Sequence, residues 1–188
     1  MNNDFAGYNE LGRRIIVPKW HGAIFHPECT YLTCSAEWAY KDGPYHQKVK
    51  QGTKVGLERI VARNDAIDFV ERLWNCGIKN ISIENPKGVL STRFLKPSQT
   101  IQPYQFGDDA SKGTCLWNKG FPNLQIDAVN YFPPRMVNGK PRWGNQTDSG
   151  QNKLSPSDNR AELRSKTYPG IAKAIANQYT EHLLNLPL

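Results

Sequence analysis

Two apolar runs, each closed by a proline turn, stand out along the chain: Trp20 to Phe25 between Pro18 and Pro27, and Ile78 to Ile83 ahead of Pro86. The first has the length of a buried strand. The second alternates isoleucine with lysine, asparagine and serine, which is also a strand pattern. Between them, apolar residues recur at Leu57, Ile60, Val61, Ile67, Val70, Leu73 and Trp74. That spacing predicts a helix with Gly77 at its C-terminal cap, while Asn64-Asp65 offers the start of a shorter one. Strand, helix, strand predicts a βαβ unit with both strands parallel in one sheet. Their C-terminal ends then share one edge, where open α/β sheets bind ligands.

The rest of the chain is less regular. Ile15-Ile16-Val17 after Arg13-Arg14 predicts a short edge strand, and Thr33 to Gly56 a mobile polar and aromatic loop. Thr114-Cys115-Leu116-Trp117 predicts another strand. Residues 133 to 166 are rich in Pro, Gly, Asn and Ser, and a loop of that length is usually functional or disordered. Pro169 opens a final helix with a stripe at Ile171, Ile175, Tyr179 and Leu183.

Composition narrows this to one α/β domain of 188 residues, large enough to bury roughly 70% of its extended-chain surface. The parts are an arm at 1–19, a sheet and helix core at 20–132, a basic loop at 133–166 and a helix at 167–188. A net charge of +7 points to a polyanionic partner, with nucleic acid in first place. Eight basic residues against three acidic ones fall between Arg135 and Lys173. Four irregularly spaced cysteines without an apolar leader predict reduced thiols in a cytoplasm, and no run is long enough to span a membrane.

Chemistry concentrates at the ends of the two strands. Cys29 sits in the turn His26-Pro27-Glu28-Cys29, and a thiol becomes a nucleophile when it is accessible and its surroundings favour the thiolate. Taken alone, a buried structural thiol is the commoner case. Glu84, in Ile83-Glu84-Asn85-Pro86, is placed to act as a general acid at the same edge, against the plainer alternative of an exposed strand-end charge beside a turn. His26, Cys29, Cys34 and His46 lack the tight spacing of a zinc site, so no metal is expected. The aromatics and lysines from Trp38 to Lys54 suit base stacking and phosphate contact as well as they suit a solvated loop.

These blocks resemble a known family. Cys29 after a strand and Glu84-Asn85 after the next are similar to the Pro-Cys and Glu-Asn motifs of DNA cytosine-5 methyltransferases. His26 to Thr33, Ile83 to Arg93, Ile101 to Gly107, Thr114 to Trp117 and Arg164 to Ala172 together resemble a compact phage and prophage family described as DNA cytosine methyltransferases.

The resemblance implies a Rossmann-like, parallel methyltransferase-type sheet with a loop-rich basic C-terminal third. It also implies a flipped cytosine attacked at C6 by Cys29 while Glu84 protonates N3, with Asn85 orienting the acid or the base. Pro27, Thr30, Arg93, Arg164 and Lys166 would lie on the substrate side, and Pro169 and Gly170 on the side of the methyl donor, S-adenosylmethionine.

Two departures accompany the match. Glu28 stands where the family has proline and places a negative charge beside the thiol. Only 28 residues precede Cys29, too few for the glycine-rich donor-binding turn and the strands around it, and Asp4-Phe5-Ala6-Gly7 is its faint counterpart. The expectation is a truncated domain, with a partner chain as one source of the missing half. The alternatives are a non-catalytic DNA-binding relic or regulator, and a DNA-base enzyme that needs no methyl donor, such as a glycosylase. A phage-encoded protein of this kind would work in the bacterial host cytoplasm.

Overall fold

The computed structural model describes residues 5–8, 13–17, 20–46, 48–126, 128–154, 163 and 166–187, with backbone alone at 5–8 and 14–17. Asp4 and Arg164 lie outside these residues. The protein is α/β, with a mixed sheet of four strands. Its chain divides into two compact units, 1–97 with 117–121, and 98–116 with 122–188. Among the described residues no helix is long and apolar enough to cross a membrane.

In the first unit, β1 (Phe5–Tyr8) and β2 (Arg14–Val17) form an antiparallel pair, with Gly7 opposite Ile15. β3 (Gly22–Phe25) runs parallel to β4 (Asn80–Pro86), Gly22 opposite Asn80 and Phe25 opposite Ile83, as the βαβ order predicts. Helix α1 (Gly56–Trp74) lies between them in sequence. β3 is an edge strand of the sheet order β3-β4-β6-β5, which explains why Ile24 stays 39% exposed.

β4 is buried on both faces. Its isoleucines fill one side, and the polar residues on the other are satisfied by hydrogen bonds, Ser82 Oγ donating to Asn118 Oδ1 at 2.8 Å and Asn80 Nδ2 to the His21 carbonyl at 2.6 Å. Burying a polar group without such a partner costs about 1–3 kcal/mol. The alternation in its sequence therefore marks a central strand with polar pairs inside it.

The prediction for α1 is right in extent and half wrong in orientation. Ile67 and Val70 are buried, but Leu57, Ile60 and Val61 are 72%, 39% and 49% exposed, and Arg59 and Arg63 are buried at 6% and 8%. The arginines win the inner face because both lie against Tyr40, their guanidinium carbons 4.8 and 3.4 Å from its ring centroid. A stacked cation loses less on burial than a bare one. At the other end Lys119 Nζ reaches the Trp74 carbonyl and stands 4.9 Å from the Trp74 ring, a cation where the helix dipole is negative.

Short α2 (Leu90–Arg93) follows β4. β5 (Gln99–Ile101) pairs antiparallel with β6 (Thr114–Lys119), so the sheet is mixed where an all-parallel one was expected. The crossover rule bears on the strands joined by α1; between β5 and β6 the chain forms only a short 3₁₀ turn at Pro103–Phe106 and returns antiparallel.

The second unit holds α3 (Pro169–Leu184), whose Ile171, Ile175 and Tyr179 are buried as the stripe predicts. Within the expected basic loop a hairpin forms, β7 (Arg135–Val137) and β8 (Lys140–Arg142), turned at Asn138-Gly139 with both residues at positive φ. Tyr104 and Trp143 stack face to face at 4.0 Å, with Tyr131 edge-on to Tyr104. Burial pushes the Tyr104 hydroxyl above its ordinary value, and nearby Tyr131 adds to the shift.

Candidate functional site

The parallel register brings the ends of β3 and β4 to one rim. Beyond Phe25 and Ile83 the next residues, His26 and Glu84, join through His26 Nδ1 and Glu84 Oε2 at 3.0 Å. The Glu84 side chain is 13% exposed and that of His26 is 48% exposed. One residue further, Asn85 is fully buried and donates from Nδ2 to the Pro27 carbonyl at 2.8 Å, while its Oδ1 has no hydrogen-bond partner among the described residues. Pro27 is buried beneath it.

Cys29 is a free, half-buried thiol. Its carbonyl accepts from the Leu32 and Thr33 amides at 3.0 and 3.1 Å, which closes the turn that carries it. The turn is clasped to the loop after β4: Thr33 bridges Gly88, and the Val89 amide donates to the Leu32 carbonyl at 2.8 Å. Only glycine fits at 88, since a Cβ there would stand 2.0 Å from the Leu32 oxygen. Among the described residues no hydrogen bond joins Cys29 to Glu84 or to His26. The turn that carries Cys29 and the Glu84 carboxylate are held by separate contacts.

A second tether comes from α1. Arg63 Nε donates to the Tyr31 carbonyl at 2.9 Å, Nη2 to the Thr33 carbonyl at 3.3 Å, and the guanidinium pairs with Glu37 at 2.7 Å. Burial disfavours the Arg63 charge, and the Glu37 hydrogen bond and the Tyr40 and Glu37 charges outweigh that, leaving the group above its ordinary value. Tyr40 Oη also donates to the Tyr31 carbonyl. The stretch expected to be a mobile loop is thus anchored, with a 3₁₀ turn at Glu37–Tyr40 and Ala39 buried.

The remaining candidates separate. Thr30 Oγ1 donates to Glu28 Oε1 at 2.5 Å, which ties the carboxylate next to the thiol to a local partner. Exposed Arg93 donates to Asn64 Oδ1 at 3.0 Å. Lys166, Pro169 and Gly170 belong to the second unit, where the Lys166 carbonyl accepts from Lys112 at 3.4 Å. Among the described residues no three or more His, Cys, Asp or Glu side chains gather as a metal site.

The residues assigned to the methyl donor do not fit that role. The Gly170 amide donates to Asp108 Oδ2 at 3.0 Å, and a Cβ at 170 would stand 2.0 Å from the Phe106 carbonyl, so that amide is already engaged within its own unit. Ala6 and Gly7 lie inside β1 and form no turn leading to a helix. Gly170 itself lines a cleft of about 410 Å³ together with Phe106, Gly107, Asn130, Lys173 and Asn177.

Two contacts here escape a reading of the sequence. The pairing of His26 with Glu84 follows from the strand register, and Arg63 lies in a helical stretch without a motif. No family model matches the chain, and no characterised protein or solved structure is significantly similar to it.

Proposed function

We propose that this chain is a DNA-base-modifying domain of the cytosine-5 methyltransferase type, built on a Rossmann-like core, with Cys29 as nucleophile and Glu84 as acid. One observation carries the reading: β3 and β4 run parallel, and the turn after β3 that holds Cys29 is bonded to the loop after β4 through Leu32 and Val89, at the end of the sheet where open α/β sheets take their ligands. The motif resemblance and the net charge of +7 support DNA as the partner.

A cytosine turned out of the duplex would meet the rim edge-on. The Cys29 thiolate adds to C6 as Glu84 gives its proton to N3, which leaves C5 nucleophilic. C5 then takes a proton from water and loses the original hydrogen. Return of the N3 proton to Glu84 expels the thiolate and restores the base. This cycle exchanges the C5 hydrogen and consumes no methyl donor. Donor binding, if the intact assembly methylates, falls to a partner chain.

The test is tritium release from duplex DNA labelled at cytosine C5. The wild-type protein releases tritium into water, and Cys29→Ser and Glu84→Gln each lower the rate by about 10²–10⁴-fold while DNA binding persists. Absence of release by the wild type would sink the catalytic reading.

A second reading, DNA binding without chemistry, is favoured by the Gly170 amide, which is already bound to Asp108. It predicts salt-dependent DNA binding with no tritium release. A glycosylase would instead liberate free base and tolerate Cys29→Ser.

A further inference from the structure

The hydrogen bond between His26 and Glu84 is the one described side-chain contact made by the proposed acid, and it divides the carboxyl group. Oε2 lies 3.0 Å from His26 Nδ1, whereas Oε1 has no hydrogen-bond partner among the described residues. A glutamate has three rotatable side-chain bonds, and an acid that must meet a ring nitrogen within hydrogen-bond reach gains from having them fixed. Burial of the Glu84 side chain to 13% exposure restricts its stem, and the imidazole restricts its end.

We propose that His26 is a positioning residue for Glu84. Its Nδ1–H holds Oε2 and leaves Oε1 as the oxygen that exchanges a proton with the base. This rests on the reaction proposed above for Glu84.

The arrangement has a chemical signature. With the acid proton on Oε1, Oε2 is an acceptor only, so Nδ1 must carry the hydrogen. The neutral ring is thereby held in the Nδ1–H tautomer, with its lone pair on Nε2. Position enforces the pair as well as chemistry, because His26 and Glu84 directly follow the register pair Phe25 and Ile83. The plain alternative is a surface ion pair that adds little to stability and nothing to the site.

The experiment combines tritium exchange with nitrogen-15 NMR of the imidazole, on the full chain. His26→Ala is expected to lower exchange about 10–100-fold, the usual loss when a supporting hydrogen bond to a reacting group is removed. DNA affinity and the melting temperature should hold. His26→Asn places an amide N–H near the position of Nδ1 and should restore most of the rate. The wild-type ring should show the Nδ1–H tautomer, reverting to Nε2–H in Glu84→Ala.

Wild-type exchange in His26→Ala overturns the proposal, as does an Nε2–H tautomer in the native protein. A stably folded His26→Asn as slow as His26→Ala overturns it too, since positioning needs only the donor. If the wild type shows no exchange, the proposed reaction fails and this role fails with it; exchange that is indifferent to His26 removes this role alone.

Discussion

In the first unit the loop carrying Cys29 hangs on cations and amides: two of its carbonyls accept from Arg63, a third from Asn85, and a fourth from the Val89 amide. In the second unit apolar faces meet, Tyr104 against Trp143 and the buried stripe of α3. Asn145 adds polar support and exchanges two hydrogen bonds with the Ser111 backbone at 2.9 Å. The contrast shows how a loop with open side chains differs from a packed scaffold. Hydrogen bonds to backbone carbonyls fix a loop while leaving its side chains uncovered, whereas aromatic stacking consumes the surfaces it joins.

The comparison breaks hardest at two glycines with the same steric margin. Gly88→Ala and Gly170→Ala each press a Cβ to 2.0 Å from a carbonyl oxygen. Overpacking against backbone should cost about 3 kcal/mol or more in each. The functional results should differ, with Gly88→Ala abolishing cytosine C5 exchange and speeding alkylation of Cys29, measured peptide by peptide by mass spectrometry. Gly170→Ala should lower the melting temperature and leave the alkylation rate of Cys29 near that of the wild type.

A smaller effect is expected from Arg63→Met, which keeps the helix and removes the tether. Losing charge-assisted bonds to two carbonyls and to Glu37 should cost about 3 kcal/mol, read from the urea midpoint, with Cys29 alkylation again accelerated.

The smallest effect belongs to the second unit and appears only at alkaline pH. Burial raises the Tyr168 hydroxyl above its ordinary 10.0, opposed by the Asn145 hydrogen bond and aided by the Asp108 charge. The folded protein therefore keeps a proton that the unfolded chain releases. Stability is intact below pH 10.0 and falls as pH rises from there through the folded value. Tyr168→Phe should flatten that limb of a pH-dependent melting curve and leave neutral stability within about 1 kcal/mol.

What could be read from the chain follows from which interactions are local. The parallel pairing of β3 with β4 was legible because element order and the crossover rule decide it. The inner face of α1 was not, because Tyr31 and Tyr40 lie far from Arg59 and Arg63 in sequence and outbid Leu57 and Val61 only once the loop has folded. The β7–β8 hairpin was missed although Asn138-Gly139 is a strong turn signal, since Arg135 to Arg142 shows no apolar alternation. The antiparallel return at β5 and β6 depends on pairing that periodicity does not encode.

The Arg63 tether also sets an order of events. The carbonyl of Tyr31 is bound by a side chain 32 residues downstream, so the turn around Cys29 cannot reach its final shape until α1 has formed and docked. Loop closure over that span precedes any reward from the hydrogen bonds themselves. The thiol thus matures late along the folding path, and its labelling rate during refolding is a clock for the assembly of the first unit.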